Sequence, residues 1–335
     1  MAKKIGINGF GRIGRLVFRN FMEMDDLEVV AVNDIAPIDN LAYLLRYDSV
    51  HRVPDVDISG SGDELKWGGK TVKYLSERDP ANLPWKEMGV DIVVESSGLF
   101  TKKEDAEKHV KAGASLVVIS APAKGDVATV CMGVNHKTFD PKKDQVVSNA
   151  SCTTNCLAPV AKVLNDNFGI ETGFLTTVHA VTASQTTVDG PHKKWRRGRS
   201  AVTNIVPTTT GAAIATTKVL PELEGKLDGM AMRVPVPNGS IIDFVARLEK
   251  EVTLEKMNDT FKKASESDEL NGILGYTEDE IVSQDIIGMN YSSKVDGGAN
   301  MVLGDRTVKV LSWYDNEWGY ARRVADLATY ASEKM

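Results

Sequence analysis

Six residues near the start of the chain, Gly9-Phe10-Gly11-Arg12-Ile13-Gly14, leave few folds open to it. They fit G-x-G-x-x-G. The pattern gains meaning from its context. Lys3 to Asn8 is a short β run, and Arg12 to Met24 carries a helical stripe of Ile13, Leu16, Val17, Phe18 and Phe21. In such a strand–turn–helix unit, Gly9 permits the tight turn. Gly11 lets backbone approach a pyrophosphate, and Gly14 lets the helix pack on the strand. The helix N-terminus that follows offers free N–H groups and a positive dipole end to an anion. The alternative is a glycine-rich turn with no ligand. Asp34 follows the second apolar run, Leu27 to Val32, twenty positions beyond Gly14. An acid there can bond ribose hydroxyls and repels a 2′-phosphate, which favours NAD over NADP. The alternative for Asp34 is a cap or turn residue.

The same alternation continues through the first half. Asp91 to Glu95, Leu116 to Ile119 and Val146-Val147 read as strands, and Thr101 to Ala112 as a helix closed by Gly113. This implies a parallel sheet with covered faces. Gly68-Gly69 between β-like runs predicts a hairpin, so the sheet is mixed. Beyond residue 150 the texture changes. Gly173 to Val181, Gly229 to Pro237, Ser240 to Leu248 and Thr307 to Trp313 read as strands. Leu254 to Ser267 and Trp318 to Ala331 read as amphipathic helices. That balance predicts a mainly antiparallel α+β domain. With 335 residues, two domains are expected. Residues 182–204 lack periodicity, and loops this long are usually functional.

A formal net charge of -6 argues against a dedicated nucleic-acid binder. No stretch approaches the length of a membrane span, and Gly, Asn and Arg interrupt any secretory signal at once. Three cysteines, Cys131, Cys152 and Cys156, are too few for a disulfide framework, and a reducing cytoplasmic setting is expected.

Residues 148–156 read SNASCTTNC. They lie between a strand and a helical run that contains Pro159, with Asn149 and Ser151 as N-cap types. Cys152 is thus placed at a helix start, where N–H groups and the dipole favour a thiolate. A depressed thiol pKa is the expectation. A metal site is disfavoured, because structural zinc needs four Cys or His ligands and no second cluster exists. A buried, inert thiol is the serious alternative, and it suits Cys131 and Cys156. His179, at the end of the Thr/Val-rich strand, is the general-base candidate. Anion sites are suggested by the basic run Pro191 to Arg199, by Val206 to Ala213 read as a turn entering a helix, and by Arg233 within a strand.

NGFGRIGR, SNASCTTNC, the His179 segment, PTTTGAA and WYDNEWGY occur in an order that resembles the phosphorylating glyceraldehyde-3-phosphate dehydrogenases of glycolysis, over essentially the whole chain. The resemblance implies a Rossmann-type domain over residues 1–151 completed by a C-terminal helix, 316–335, and a catalytic domain over 152–315. It implies a homotetramer, with NAD as cofactor and no metal. By position, Gly9, Gly11, Arg12, Ile13, Gly14, Asp34, Arg78, Ser120, Asn316 and Tyr320 are expected at the cofactor. Cys152 is expected as nucleophile and His179 as its activator. Ser151, Thr153, Thr210, Gly211 and Arg197 match the inorganic-phosphate side, and Thr182 and Arg233 the phosphate of glyceraldehyde 3-phosphate. Asp34 and Pro191 favour NAD. The rival readings are an erythrose-4-phosphate dehydrogenase, which shares the thiol, and a non-catalytic NAD-sensing protein, which would need the glycines alone.

Overall fold

The computed structural model describes residues 2–335. The chain divides into two compact units. One runs to Val130 and also takes in His136–Ala150 and Ala321–Met335; the other comprises Cys131–Asn135 and Ser151–Tyr320.

The first unit is built on β1 (Lys3–Asn8), α1 (Arg12–Met22), β2 (Leu27–Asn33), α2 (Ile38–Arg46), β3 (Ile58–Ser61), β4 (Glu64–Trp67), β5 (Lys70–Leu75), α3 (Trp85–Met88), β6 (Ile92–Glu95), α4 (Lys103–Lys111), β7 (Leu116–Ile119), β8 (Ala128–Thr129) and β9 (Val146–Ser148). The sheet order is β3-β4-β5-β2-β1-β6-β7-β9-β8. From β5 to β8 every pairing is parallel. The runs Ile92–Glu95 and Leu116–Ile119 are buried along their whole length, as a sheet covered on both faces requires. The predicted hairpin is present: β4 and β5 pair antiparallel with Trp67 opposite Lys70 across Gly68-Gly69. Chain order reverses at β1, whose neighbours are β2 and β6. Ligands of such sheets bind beside that reversal, at the carboxyl ends of the strands.

Two glycines shape that point. Gly9 has φ +90, and a Cβ there would sit 2.3 Å from the Ser97 amide nitrogen; one on Gly14 would sit 2.0 Å from the Gly9 carbonyl oxygen. Gly9→Ala is therefore expected to destabilise the fold by about 2–3 kcal/mol through strain and clash together. An unchanged denaturation midpoint would contradict this.

The second unit contains α5 (Cys152–Phe168), β10 (Ile170–Ala180), β11 (Val206–Thr209), α6 (Ala212–Val219), β12 (Leu227–Val234), β13 (Ser240–Leu248), α7 (Leu254–Ser265), β14 (Leu274–Thr277), β15 (Ser293–Asp296), β16 (Met301–Leu303) and β17 (Thr307–Tyr314). Its sheet runs β11-β12-β10-β13-β17-β15-β14, with β16 also on β17. Antiparallel pairings dominate; β10/β12 and β14/β15 are parallel. Burial alternates along β13, the mark of a sheet packed on one side. α8 (Trp318–Lys334) begins in this unit, and its residues from Ala321 belong to the first.

One reading changes in detail. Val206–Thr209 is a short strand rather than a turn, because its register on β12 satisfies the backbone. Pro159 lies inside α5. Residues 182–204 are irregular apart from one 3-10 turn, Trp195–Gly198.

Candidate active site

At the carboxyl ends of the central strands of the first unit lies a cleft of about 290 Å³. Its lining includes Gly9, Gly11, Asp34, Arg78, Ser97 and Leu99. Asp34 is oriented by two backbone donors, Phe10 N–H to Oδ2 at 2.7 Å and Ala36 N–H to Oδ1 at 3.0 Å. α1 starts at Gly11 with no side-chain cap and no acidic residue in its first turn among the described residues. Gly11 is exposed, and a Cβ there would meet nothing within 4 Å. An uncapped helix start beside an oriented carboxylate is the donor and acceptor set that a pyrophosphate and a ribose require, so these residues fit a dinucleotide. Ile13 is half-buried in the first turn, while Arg12 bonds Asp48 at 2.5 Å. Gly14 packs the helix. Ser120 follows β7, its N–H on the Glu95 carbonyl at 2.9 Å.

The second unit assembles the thiol site. Ser151 caps α5, its Oγ accepting the Thr154 N–H at 3.0 Å. Cys152 is therefore the first helical residue. Ala150, just before the cap, sits in the left-handed region at φ 54, a tight local bend. His179 lies at the end of β10, buried, with Nε2 3.5 Å from the Cys152 sulfur. The pairing that no spacing could reveal is thus present. His179 Nδ1 is 2.7 Å from the Ala180 carbonyl oxygen, so an Nδ1–H donating there leaves Nε2 as the acceptor facing the thiol. Arg233 Nη1 lies 2.9 Å from Nδ1, 3.0 Å from the Ala180 oxygen and 3.3 Å from Thr182 Oγ1. Arg233 can only donate, so with Nδ1 protonated its acceptors are the Ala180 oxygen and Thr182 Oγ1, and its charge lies against Nδ1 without bonding it.

The electrostatics correct one expectation. Burial pushes the Cys152 thiol above its ordinary value, and the Arg233 guanidinium, the Thr153 hydroxyl and backbone N–H groups only partly oppose it. The thiol is not held low, because the site that shelters it also strips its water. His179 moves the other way: burial and then Arg233 push it down to about 3. A neutral imidazole results, the form able to accept a proton. Cys131 and Cys156 are buried and pushed up to about 12 by desolvation, as packed thiols should be.

Arg197 Nε donates to Thr208 Oγ1 at 2.9 Å and its Nη2 to the Thr209 carbonyl at 3.2 Å. Thr210 Oγ1 accepts the Ala212 N–H at 3.2 Å, and Gly211 caps α6. Asn316 is buried, its Oδ1 accepting from Ser240 Oγ at 2.6 Å, which leaves its amide N–H groups as donors. Tyr320 is buried, which raises its hydroxyl pKa well above the usual range.

Sequence reasoning passed over Tyr314 and Ser240. The Tyr314 hydroxyl bonds Thr153 Oγ1 at 2.9 Å and Thr177 Oγ1 at 2.7 Å, and its ring lies edge-on to His179 with centroids 5.9 Å apart. Thr153 is thereby tied into the protein beneath Cys152. The signal for Tyr314 was its place inside the quoted WYDNEWGY run. Ser240 carried no local signal, because its importance comes from accepting the Ala180 N–H at 3.1 Å while donating to Asn316.

Comparison with known proteins gives the family. Residues 3–103 match the NAD-binding domain model of glyceraldehyde 3-phosphate dehydrogenase, and residues 151–316 its C-terminal domain model. The chain is 58% identical over 334 residues to the glyceraldehyde-3-phosphate dehydrogenase of Geobacillus stearothermophilus, covering 100% of this chain and 99% of that one. It is 56% identical over 333 residues to that of Chlamydia pneumoniae, covering 98% and 99%. The glyceraldehyde-3-phosphate dehydrogenase of Podospora anserina is also 56% identical, over 336 residues, covering 99% and 98%. With both domain models matched in order and such relatives aligned end to end, the chain belongs to the glyceraldehyde-3-phosphate dehydrogenase family.

Proposed function

We infer that the chain carries out the NAD-dependent, phosphorylating oxidation of glyceraldehyde 3-phosphate, with Cys152 as nucleophile and His179 as its base. The observation that carries the assignment of roles is the 3.5 Å approach of His179 Nε2 to the Cys152 sulfur at a helix start. As sulfur attacks the aldehyde carbon, the thiol proton passes to Nε2 and on to the carbonyl oxygen, giving a hemithioacetal. The Cys152 backbone N–H serves as a donor to the developing oxyanion. His179 then takes the hydroxyl proton back. NAD, when bound, supplies the hydride acceptor that turns the hemithioacetal into a thioester. Inorganic phosphate attacks the thioester carbon, the C–S bond breaks, and the sulfur leaves to recover its proton. Arg233 and Thr182 form the binding set for the phosphate of the aldehyde. Ser151, Thr153, Thr210, Gly211 and Arg197 form the set for the incoming phosphate.

Gly9, Gly11, Arg12, Ile13, Gly14, Asp34, Arg78 and Ser120 hold the dinucleotide, with Asn316 donating to the carboxamide and Tyr320 supporting that end. Residues 1–151 with 316–335 form the NAD domain and 152–315 the catalytic domain. Asp34→Ala is expected to weaken NAD binding about 10–100-fold, the loss of charged hydrogen bonds to the ribose, and to narrow the preference over NADP. Titration with both dinucleotides measures it; an unchanged ratio would remove Asp34 from the site.

The working form is a homotetramer in the cytoplasm. One face of the second unit's sheet supports self-association. Phe174 pairs with Val245, Val245 with Lys309, and Lys309 with Met301, so these share a face with Leu303. Phe174, Met301 and Leu303 are 69%, 60% and 77% exposed, whereas Leu175 and Phe244 on the opposite face are buried. An exposed sheet face that carries these apolar side chains around the Lys309–Asp243 ion pair suits a second copy. Among the described residues no helix is long and apolar enough to cross a membrane. Sedimentation equilibrium tests the assembly; a monomer at micromolar concentration would exclude it.

The test of the function is NADH formation from glyceraldehyde 3-phosphate with and without inorganic phosphate. Sustained turnover should require phosphate. Turnover indifferent to phosphate would overturn the phosphorylating assignment, and preference for erythrose 4-phosphate would favour the related dehydrogenase.

A further inference from the structure

Beneath the dinucleotide cleft runs a buried polar chain that the reaction does not use directly. At its centre is Glu95, at the end of β6 and 1% exposed. Every partner of its carboxyl is a donor. Oε2 accepts from Asn8 Nδ2 at 2.5 Å and lies 2.9 Å from His109 Nε2. Oε1 accepts the Ser97 N–H at 2.8 Å and also the Ser97 hydroxyl. His109, on α4, is 0% exposed, and its Nδ1 accepts from the Trp85 indole N–H at 3.0 Å. An indole N–H can only donate, so Nδ1 is an acceptor and the ring proton sits on Nε2, pointing at Glu95. The tautomer is set by a tryptophan that cannot reverse its role.

The chain continues toward the cleft. Asn8 Oδ1 accepts from Asn33 Nδ2 at 2.7 Å. Asn33 in turn clamps the backbone of Glu77, accepting its N–H at 2.8 Å and donating to its carbonyl at 2.9 Å. Ser97 Oγ accepts the Leu99 N–H at 3.1 Å. Asn8, Asn33, Glu77, Ser97 and Leu99 all line the cleft. One buried carboxylate therefore ties together the loops after β1 and β6 and, through Asn33, the loop after β5 that carries Arg78. A buried carboxylate without its donors would be far too costly to keep, so the network holds as a whole or fails as a whole.

We propose that Glu95 is the positioning residue of the NAD site, held by the Trp85–His109 pair, and that it preorganises the cleft loops for the dinucleotide. The inference rests on the NAD-binding reading above. Glu95 and His109 touch no reacting atom, so their loss should appear in NAD affinity rather than in chemistry. Glu95→Gln turns an amide donor toward either the Ser97 N–H or the Asn8 amide and His109 Nε2–H, which can only donate. His109→Leu leaves the carboxylate and the indole each short of a partner. His109→Gln keeps one acceptor and one donor and is the conservative rescue.

The experiment measures NAD affinity by calorimetry on the intact protein, with kcat and the KM for NAD and for glyceraldehyde 3-phosphate. Glu95→Gln and His109→Leu should each raise the Kd and KM for NAD about tenfold or more. The KM for the aldehyde, and kcat at saturating NAD, should stay within about threefold. His109→Gln should restore most of the affinity. Ser97→Ala, at the half-exposed rim where the fold is not at stake, should raise the Kd about 3–10-fold by cutting one tie to the loop. Wild-type NAD affinity in Ser97→Ala, or in either buried variant that folds, would overturn the proposal. So would an equal loss with His109→Gln and His109→Leu. A wild-type protein that failed to bind NAD would instead sink the function itself.

Discussion

Cys152→Ser is expected to lower dehydrogenase turnover by about 10⁴-fold or more while NAD binding stays within about twofold of the original. A hydroxyl at the helix start is far less acidic than a thiol, and His179, neutral and buried, is too weak a base to ionise it. The oxygen also makes an ester, which gives up its acyl group to phosphate less readily than a thioester. Cys152 is not among the residues that line the dinucleotide cleft, so the substitution removes no contact there and NAD affinity should hold. Steady-state NADH formation and calorimetry together check this. Activity surviving the substitution would remove Cys152 from the reaction.

The second large effect belongs to His179. His179→Asn keeps a polar side chain near the Ala180 carbonyl but removes the acceptor facing the sulfur, and turnover should fall about 10²–10⁴-fold. Burial raises the Cys152 thiol, so the resting sulfur needs this acceptor, and iodoacetamide should alkylate Cys152 about tenfold more slowly in the variant. An unchanged alkylation rate would show that the base lies elsewhere. The same histidine marks the acid limit of stability. Its folded value, about 3, lies below the ordinary 6.5, so between these the unfolded chain binds the extra proton. Stability contributed by this site is then full above pH ~6.5 and declines as pH falls through that window. His179→Asn should flatten this part of the acid limb.

Much of this was legible in the sequence, for reasons that differ by residue. The strand before Gly9 and the helix after it were visible because periodicity and glycine spacing are local. So were Ser151 as a cap and Cys152 at a helix start. The 3.5 Å approach of His179 to Cys152 was not, since it depends on how β10 lies against α5. Nor was the direction of the thiol shift: a helix start argues for a lowered pKa, and only the packed site shows desolvation winning. Val206–Thr209 looked like a turn because Pro207 and two threonines mask a strand that β12 recruits. Glu95, His109 and Trp85 were invisible as a group, since they come from three separate elements joined only by the fold.

The central claim is that Cys152 carries the acyl group between oxidation and phosphate attack. It is tested most directly by rapid mixing of the enzyme with NAD and glyceraldehyde 3-phosphate without inorganic phosphate, followed by acid quench and peptide mass mapping. The prediction is a burst of about one NADH per site, an acyl adduct on the peptide holding Cys152 and none on those holding Cys131 or His179, and release of that adduct once phosphate is added. A full burst with no adduct on Cys152, or an adduct that phosphate fails to discharge, would contradict the account.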